Sequence, residues 1–487
     1  MLKLATLVGD GAMIRGDAAI DVSGLTADSR EVRPGMVFAA LAGQRQDGRR
    51  FVEDALNRGA VAVLGDPSLE QDDLPVPVIT DADPRRRLAL MAATFHGPQP
   101  QTQVAVTGTN GKTSVAHFTT QLWRMAGKRA ASVGTLGVDG PRGLEPGALT
   151  TPDPVKLHET LARFRQDGVS HLAMEASSHG LEQRRLDGVR LAAGAFLNIT
   201  RDHFDYHGDF SSYFQAKMRL FDALLPGGAP AIINADLESF PDVRRRCRER
   251  NLDIIDFGVR ASRLRLVKQT PRPEGQSLEL VIDGTKVAIE AGLTGAFQGH
   301  NLLAAIGLFL ATGGTTGQVV QAAPQLAGAP GRMELVGRST TGGRIFVDYA
   351  HTPDALEQAL RAVRPHGAGR LIVVFGCGGD RDPGKRPQMG EVSARLADLA
   401  IVTDDIPRSE EPAAIRGQIL AAVPDALDIG DRAEAIAEGI RLLEAGDLLV
   451  IAGKGHEEGQ TIGDRVLAFN DADVVRRILA RAEGGHP

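Results

Sequence analysis

Gln103-Val-Ala-Val-Thr-Gly-Thr-Asn-Gly-Lys-Thr-Ser114 decides the reading of this chain. A short apolar run breaks into a glycine loop and then opens a helix. Gly108 and Gly111 leave the backbone bare, so amide N–H groups of the segment Gly108, Thr109, Asn110, Gly111, Lys112, Thr113, Ser114 can close on the phosphate oxygens of a nucleotide. Lys112 can reach the terminal phosphates, and the Thr113 hydroxyl can hold a Mg²⁺ that bridges them. Val115, Phe118, Leu122 and Met125 follow at helical spacing, with Gly127 placed to end the helix. Val106 stands where the usual phosphate-loop pattern has its outer glycine. Strand, loop and helix together carry the reading, not the glycine spacing alone.

The chain around this stretch has 487 residues, too long for one core, which suggests about three domains. A net charge of −6 gives no general pull toward nucleic acid or an anionic membrane. Aromatic residues are 4% of the chain, too few for a platform that stacks bases. The two cysteines, Cys247 and Cys377, are far apart and lack metal-ligand spacing, which argues against a disulfide scaffold or a zinc site and fits a reducing cytoplasm. The first residues meet Asp10 before any long apolar core, so they make a poor signal peptide. The most apolar run, Leu302 to Ala311, is about half a membrane span and reads as a buried helix.

Three α/β domains are expected. Residues 1–98 read as a small α/β domain with polar loops: a strand after Arg33-Pro-Gly, the loop Gly43-Gln-Arg-Gln-Asp-Gly-Arg49, a helix Phe51 to Arg58, and a helix Arg85 to Phe95 started by Pro84. Residues 99–330 form a central P-loop-type nucleotide-binding domain with a mostly parallel sheet. In it Glu175 follows the apolar run Val169 to Met174, and His203 follows Ala195 to Ile199. Both runs are expected to flank the phosphate-loop strand in parallel, at the carboxyl edge where such sheets bind ligands. Lys217 falls on a helix. Leu264 to Glu290 reads as an antiparallel insertion with a hairpin turn at Asp283-Gly284, and Gly295-Ala-Phe-Gln-Gly-His-Asn301 as the lead into the buried helix. Residues 331–487 form a C-terminal, Rossmann-like domain. Four strand ends there bring Asp348, Arg386, Asp405, Arg408, Lys454 and Glu457 to one edge, a mixed-charge set that suits a zwitterionic substrate such as an amino acid.

Taken together, the motifs resemble the Mur ligase family in its MurE type. The resemblance rests on Thr26 to Arg30, Gly108 to Thr113, Thr150 to Pro154, Met174 to Arg185, Arg201 to Gly208, Gly331 to Glu334, Asp348 to Thr352, Gly376 to Arg386 and Gly453 to Glu457, in that order along nearly the whole chain. It implies a cytoplasmic, ATP- and Mg²⁺-dependent amide ligase of peptidoglycan precursor synthesis, adding meso-2,6-diaminopimelate to UDP-N-acetylmuramoyl-L-alanyl-D-glutamate. Its partners would be small molecules, without nucleic acid or membrane, and the chain would act as a monomer. The resemblance also implies roles. Lys112 and Thr113 would serve the ATP phosphates and Mg²⁺, with Glu175 and His203 in the metal shell. Lys217, once carbamylated, would hold a second Mg²⁺. Asn301, Arg332 and Asp348 would hold the remainder of ATP. Ala27, Ser29, Thr150, Thr151, Ser177, Gln183 and Arg185 would bind the UDP-sugar peptide. Arg386, Asp405, Ile406, Pro407, Arg408, Gly453 and Glu457 would grip diaminopimelate.

Two departures from the family pattern stand out. Ile406 occupies the asparagine position of the diaminopimelate adders, and Leu149 a position where asparagine is expected. Arg408 still supplies a fork for the distal carboxylate that lysine lacks. His179 or a nearby carboxylate is expected to assist deprotonation of the attacking amine. The alternatives are a lysine-adding or folate-extending ligase and, further off, a nucleotide-hydrolysing switch.

Overall fold

The computed structural model describes residues 1–43, 46–71, 73–200, 202–463 and 465–482, with only the backbone of Asp205 and Ile462. Gln44 and Arg45 of the polar loop, Arg201 of the histidine motif and residues 483–487 of the third expected domain lie outside these. The chain divides into two compact units. The first runs Met1–Asp256 with Ala304–Thr315; the second comprises Phe257–Leu303 and the chain from Thr316 on.

Besides the short pair Leu2–Lys3 and Asp21–Val22, the first unit holds two larger sheets among the described residues. In the N-terminal one, short apolar runs give Gly24–Thr26, Met36–Ala39, Ala62–Gly65 and Val78–Thr80 as parallel neighbours, closed at one edge by the antiparallel Met13–Arg15. The helix Pro84–His96 has proline in its first turn, and the Asp83 side chain accepts from Arg86 N. It lays Leu88, Met91 and Ala92 on Val37, Leu64 and Ile79. Each of these side chains except Ala92 contributes roughly 1.5–3 kcal/mol by leaving water.

The central sheet is organised about Thr102–Thr107. His171–Glu175 lies parallel on one side of it and Ala193–Phe196 on the other, so Glu175 stands opposite Val106 and Phe196 opposite Thr107. Both flanking strands are where the two apolar runs put them. Ala130–Gly134 and Pro230–Asn234 extend the parallel set outward, and Gly137–Gly140 with Gly143–Glu145 adds an antiparallel edge. Val104, Val106, Leu172, Ala195 and Phe196 are fully buried, as strands covered on both faces require. The helix carrying Lys217, Phe210–Arg219, passes directly into a π-turn at Leu220–Leu224, a form that often marks functional sites.

In the second unit the strands Leu264–Arg272, Gly275–Ile282 and Thr285–Ala291 form an antiparallel meander. Asp283 (φ 45°) and Gly284 (φ 84°) make the hairpin turn expected for that dipeptide. One expectation is corrected. The helix spans Ala296–Ala311, so Asn301 lies within it and not before it. Gly299 would ordinarily argue against a helix there, by about 1 kcal/mol. A Cβ at that position would lie 2.8 Å from Gln269 Nε2, so the glycine makes room for the meander.

The C-terminal sheet runs Glu334–Arg338, Arg344–Asp348, Leu448–Ala452, Leu371–Phe375, Leu399–Val402, Leu427–Asp428, parallel throughout except for its first strand. Separate apolar clusters cover its two faces, one around Phe346, Leu360 and Met389 and the other around Ile345, Ile436 and Val475. The four strand ends singled out from sequence therefore share one edge. The chain is mixed α/β with mostly parallel sheets, as its alternating strands and helices imply. Among the described residues no helix is long and apolar enough to cross a membrane.

Candidate functional site

The strand Thr102–Thr107 delivers Gly108 to the sheet edge, and Gly111, at φ 88°, is the left-handed residue from which the helix Lys112–Met125 departs. A side chain at that φ would be strained, so the turn requires glycine. Asn198, two residues past the neighbouring strand, pins the loop: its Oδ1 accepts from Asn110 N at 2.8 Å and its Nδ2 donates to Asn110 O at 3.0 Å. Thr109 N donates to Asn198 O, and the Thr109 hydroxyl lies 3.1 Å from the Tyr213 hydroxyl. Thr113 and Ser114 are buried in the first helical turn.

Two lysines converge on this loop. Lys112 Nζ donates to the carbonyls of Gly108 and Thr109, each at 2.9 Å. Lys217 Nζ donates to the same Gly108 carbonyl at 2.8 Å, with its ammonium 4.4 Å from the centre of the Tyr213 ring. Lys217 is 1% exposed, and burial, reinforced by the charge on Lys112, holds its amine well below the usual lysine range, against a weaker opposing pull from Asp202.

Glu175 is buried one strand away. It accepts from Thr135 N at 2.8 Å and from the Thr135 hydroxyl at 3.1 Å. A Cβ on Gly134 would fall 2.2 Å from Glu175 Oε1, so this carboxylate exists in its present place only beside a glycine. From Glu175 a hydrogen-bonded chain continues through the expected UDP-sugar residues. The Thr135 hydroxyl meets that of Thr150 at 3.1 Å, and the Thr151 hydroxyl donates to Glu175 O at 2.8 Å and meets the Ser177 hydroxyl at 3.0 Å. Ser177 caps the next helix by accepting from Gly180 N. Arg185 donates to Thr151 O and to Gln183 Oε1, and Gln183 donates to the Tyr206 hydroxyl. Ser29, buried in a 3₁₀ turn behind Asp28, bonds Asp54 instead, and Ala27 is exposed beside it. Neither shares a hydrogen bond with that chain.

His203 does not join Glu175. It sits at φ 54°, half exposed, with Nε2 3.4 Å from Asp202 and its ring 4.9 Å from that of His179. The His179 ring stacks 3.9 Å from Tyr206 and 5.4 Å from His207. Among the described residues no group of three His, Cys, Asp or Glu side chains could hold a metal by themselves. Thr113, Glu175, His203 and Lys217 therefore do not form a closed cage. Mg²⁺ does not require one, since it keeps waters and shares substrate phosphates with one or two carboxylates. The oxygens of Thr113 and Glu175 suit that cation; the His203 imidazole suits it less.

In the second unit Asn301 Nδ2 donates to Gln298 Oε1 at 2.9 Å, and Gln298 reaches back to Arg332 O at 3.4 Å. The Arg332 guanidinium lies 4.5 Å over the Tyr349 ring. Asp348 accepts from Met333 N at 2.7 Å and Ala350 N at 2.8 Å; burial pushes its carboxyl upward, opposed chiefly by Arg332. The three residues expected to hold the remainder of ATP thus stand together.

The amino-acid edge is built from charges. Arg386, 1% exposed, is already paired to Glu410 at 2.8 Å and to Gln418 at 3.0 Å, so the cation expected to grip diaminopimelate is buried in the first turn of Lys385–Leu396. Arg408 adopts φ 52° and donates one Nη to Gly379 O at 2.6 Å. Ile406 O accepts from Gly379 N, and the Pro407 carbonyl is so close that a Cβ on Gly379 would meet it at 1.9 Å. Gly453 N donates to Asp348 O. Glu457 lies 3.5 Å from Lys454; burial pushes its carboxyl upward, against that lysine's pull. Sequence reasoning gave no role to Thr135, Asn198, Tyr213 or Arg432. Asn198 had a signal, its place two residues past a strand beside the loop; Arg432 had only the helix cap Asp431 before it.

Three family descriptions match the chain in order: "Mur ligase family, catalytic domain" over residues 21–96, "Mur ligase middle domain" over 106–309, and "Mur ligase, glutamate ligase domain" over 331–455. The UDP-N-acetylmuramoyl-L-alanyl-D-glutamate–2,6-diaminopimelate ligase of Mesorhizobium japonicum is 52% identical over 480 residues, covering 98% of this chain and 99% of that one. The enzyme of the same name from Agrobacterium fabrum is 51% identical over 466 residues, covering 96% and 95%. A solved structure of a ligase of that name is 32% identical, covers 99% of this chain and 100% of its own, and superposes with a TM-score of 0.75.

Proposed function

The chain belongs to the Mur ligase family, and on that premise we propose that it joins meso-2,6-diaminopimelate to the γ-carboxyl of D-glutamate in UDP-N-acetylmuramoyl-L-alanyl-D-glutamate, at the expense of ATP, in peptidoglycan precursor synthesis. The observation that carries the reading is the 52% identity to a diaminopimelate ligase, sustained over 98% of the chain. The proposed division of labour is residues 1–98 for the UDP-sugar, 99–330 for ATP and bond formation, and 331–487 for the amino acid.

The γ-carboxylate attacks the γ-phosphorus of ATP, ADP leaves, and the acyl phosphate formed is attacked by the amine of diaminopimelate. A tetrahedral intermediate then expels inorganic phosphate. Lys112, now turned onto the Gly108 and Thr109 carbonyls, exchanges them for phosphate oxygens and stabilises the transferring charge. Thr113 and Glu175 would hold Mg²⁺, which would neutralise charge building on the phosphates. Lys217 is the carbamylation site: a buried amine held below its usual range keeps the lone pair that attacks CO₂. The N–C bond forms, one C=O π bond becomes an oxyanion, and the amine proton is lost. Thr150, Thr151, Ser177, Gln183 and Arg185 orient the UDP-sugar peptide beside Glu175. His179, packed on Tyr206, takes the proton of the attacking amine.

The test is phosphate release with ATP, Mg²⁺ and UDP-N-acetylmuramoyl-L-alanyl-D-glutamate, run with diaminopimelate and in parallel with L-lysine. Turnover is expected with diaminopimelate alone. Ile406, in the asparagine position of the diaminopimelate adders, is the observation favouring the lysine-adding version, and turnover with lysine would install it. No turnover with either would sink the reading.

A further inference from the structure

Arg432 opens the helix Arg432–Arg441, and its side chain is entirely buried, as is that of Asp471 on a separate helix. Nε and Nη2 each donate to Asp471 at 2.8 Å, and Nη2 also donates to Ala452 O at 3.0 Å, the last residue of the strand Leu448–Ala452. Among the described residues Nη1 has no hydrogen-bond partner. Asp405, 8% exposed, likewise has an Oδ1 without one among them. The two groups flank the same glycine. A Cβ on Gly453 would lie 3.7 Å from Asp405 Oδ2 and 3.8 Å from Arg432 Nη2.

Packing alone does not account for this. A buried ion pair contributes little net stability, because desolvating two charges offsets most of their attraction, and apolar replacements of the pair are often neutral or better. Burial works against the Arg432 charge, but Asp471 first, and then Asp405 and Glu457, more than restore it. Around Gly453, then, the cations Arg432 and Lys454 face the carboxylates Asp405, Glu457 and Asp471. The orphaned Asp405 oxygen is an acceptor ready for an incoming ammonium group.

We propose that Arg432 is a positioning residue of the amino-acid site, a fixed positive charge behind Gly453 that holds the Asp405 and Glu457 carboxylates oriented toward the amine of the incoming amino acid. This rests on the ligase reading above. Its direct contact is with Asp471 and the Ala452 carbonyl; Asp405 and Glu457 are the groups that meet the substrate.

The test replaces the pair together. Arg432→Met with Asp471→Val removes both buried charges at closer to the original volume and is expected to fold with a melting temperature near that of the parent. Its KM for diaminopimelate is expected to rise at least tenfold, with KM for ATP and for the UDP-sugar peptide unchanged. Arg432→Lys, which keeps the charge without the fork, should lie between. A folded double variant with the parent's diaminopimelate KM would overturn the proposal and reduce the pair to packing. Should the double variant not fold, Asp471→Asn carries the test. It keeps the Arg432 charge but loosens its fork, so a raised diaminopimelate KM supports the role and an unchanged one removes it. Parent enzyme inactive with diaminopimelate would instead indict the ligase reading itself.

Discussion

The phosphate loop and the amino-acid edge both lie at the carboxyl ends of parallel strands, yet they are built on different physics. At the phosphate loop the binding groups are backbone amides, hydroxyls and one carboxylate, joined in a hydrogen-bonded chain from Glu175 through Thr151 to Arg185, and its two lysines rest on a backbone carbonyl. At the edge proposed for the amino acid several charges already have an opposite charge: Arg386 with Glu410, Lys454 with Glu457, Arg432 with Asp471. A ligand with several phosphates brings its own dense negative charge, so its site needs donors held in place. A zwitterion brings both signs at fixed spacing, so its site needs both signs fixed in return.

The sharpest break in the first region is Lys217→Met. It removes a buried amine that burial disfavours as a cation, so thermal unfolding should show equal or higher stability. Phosphate release is expected to fall about 10³-fold, of the order seen when a preorganised electrostatic group is deleted. A modest loss would show that Lys217 is packing only. Next is Gly134→Ala, which drives a Cβ into Glu175 Oε1. Displacing that carboxylate by about 1 Å should cost about 10²-fold in turnover, while diaminopimelate KM stays put.

Acid separates the regions differently. His117, on the phosphate-loop helix, and His158, whose Nε2 meets Asp187 O at 2.9 Å, are both pushed down to about 4 by burial. Their folded values lie below the unfolded one, so the unfolded chain binds more protons between pH 6.5 and 4. Stability from these residues is full above pH 6.5 and declines as pH falls through that window. Replacing His158 with Gln should flatten the decline by about 2 kcal/mol between pH 7 and pH 4 in denaturant titrations. A decline of undiminished slope would contradict the assignment. The smallest expected effect falls in the second region. Arg408→Lys keeps the charge and loses the fork, so diaminopimelate KM should rise about tenfold with ATP KM unchanged.

The comparison also explains what could be read in advance. The phosphate loop is a run of neighbours, Gly108 to Ser114, whose conformation follows from glycine freedom and helix initiation, so it was legible as text. Glu175 was legible because an apolar run before it had to be a strand, and strands beside Thr102–Thr107 end at the same edge. His203 followed from the same rule, but six positions separate it from Phe196, and its ring lies against Asp202. Asn301 was placed before a helix it lies within, because Gly299 reads as a breaker until Gln269 is known to pack there.

By itself the sequence determined the alternation of strands and helices, the parallel sheets, the phosphate loop and the strand ends that carry polar residues. Hydrophobic period, glycine and proline placement, and helix caps act over a few residues, and those are visible in order. Only the tertiary structure decided which charges meet. Arg386 was expected to grip the amino acid and is held by Glu410, 24 positions away. Arg432, given no role from sequence, is sealed against Asp471, 39 positions away. A buried charge must find its partner wherever the packed layers bring one, and spacing along the chain does not record that distance.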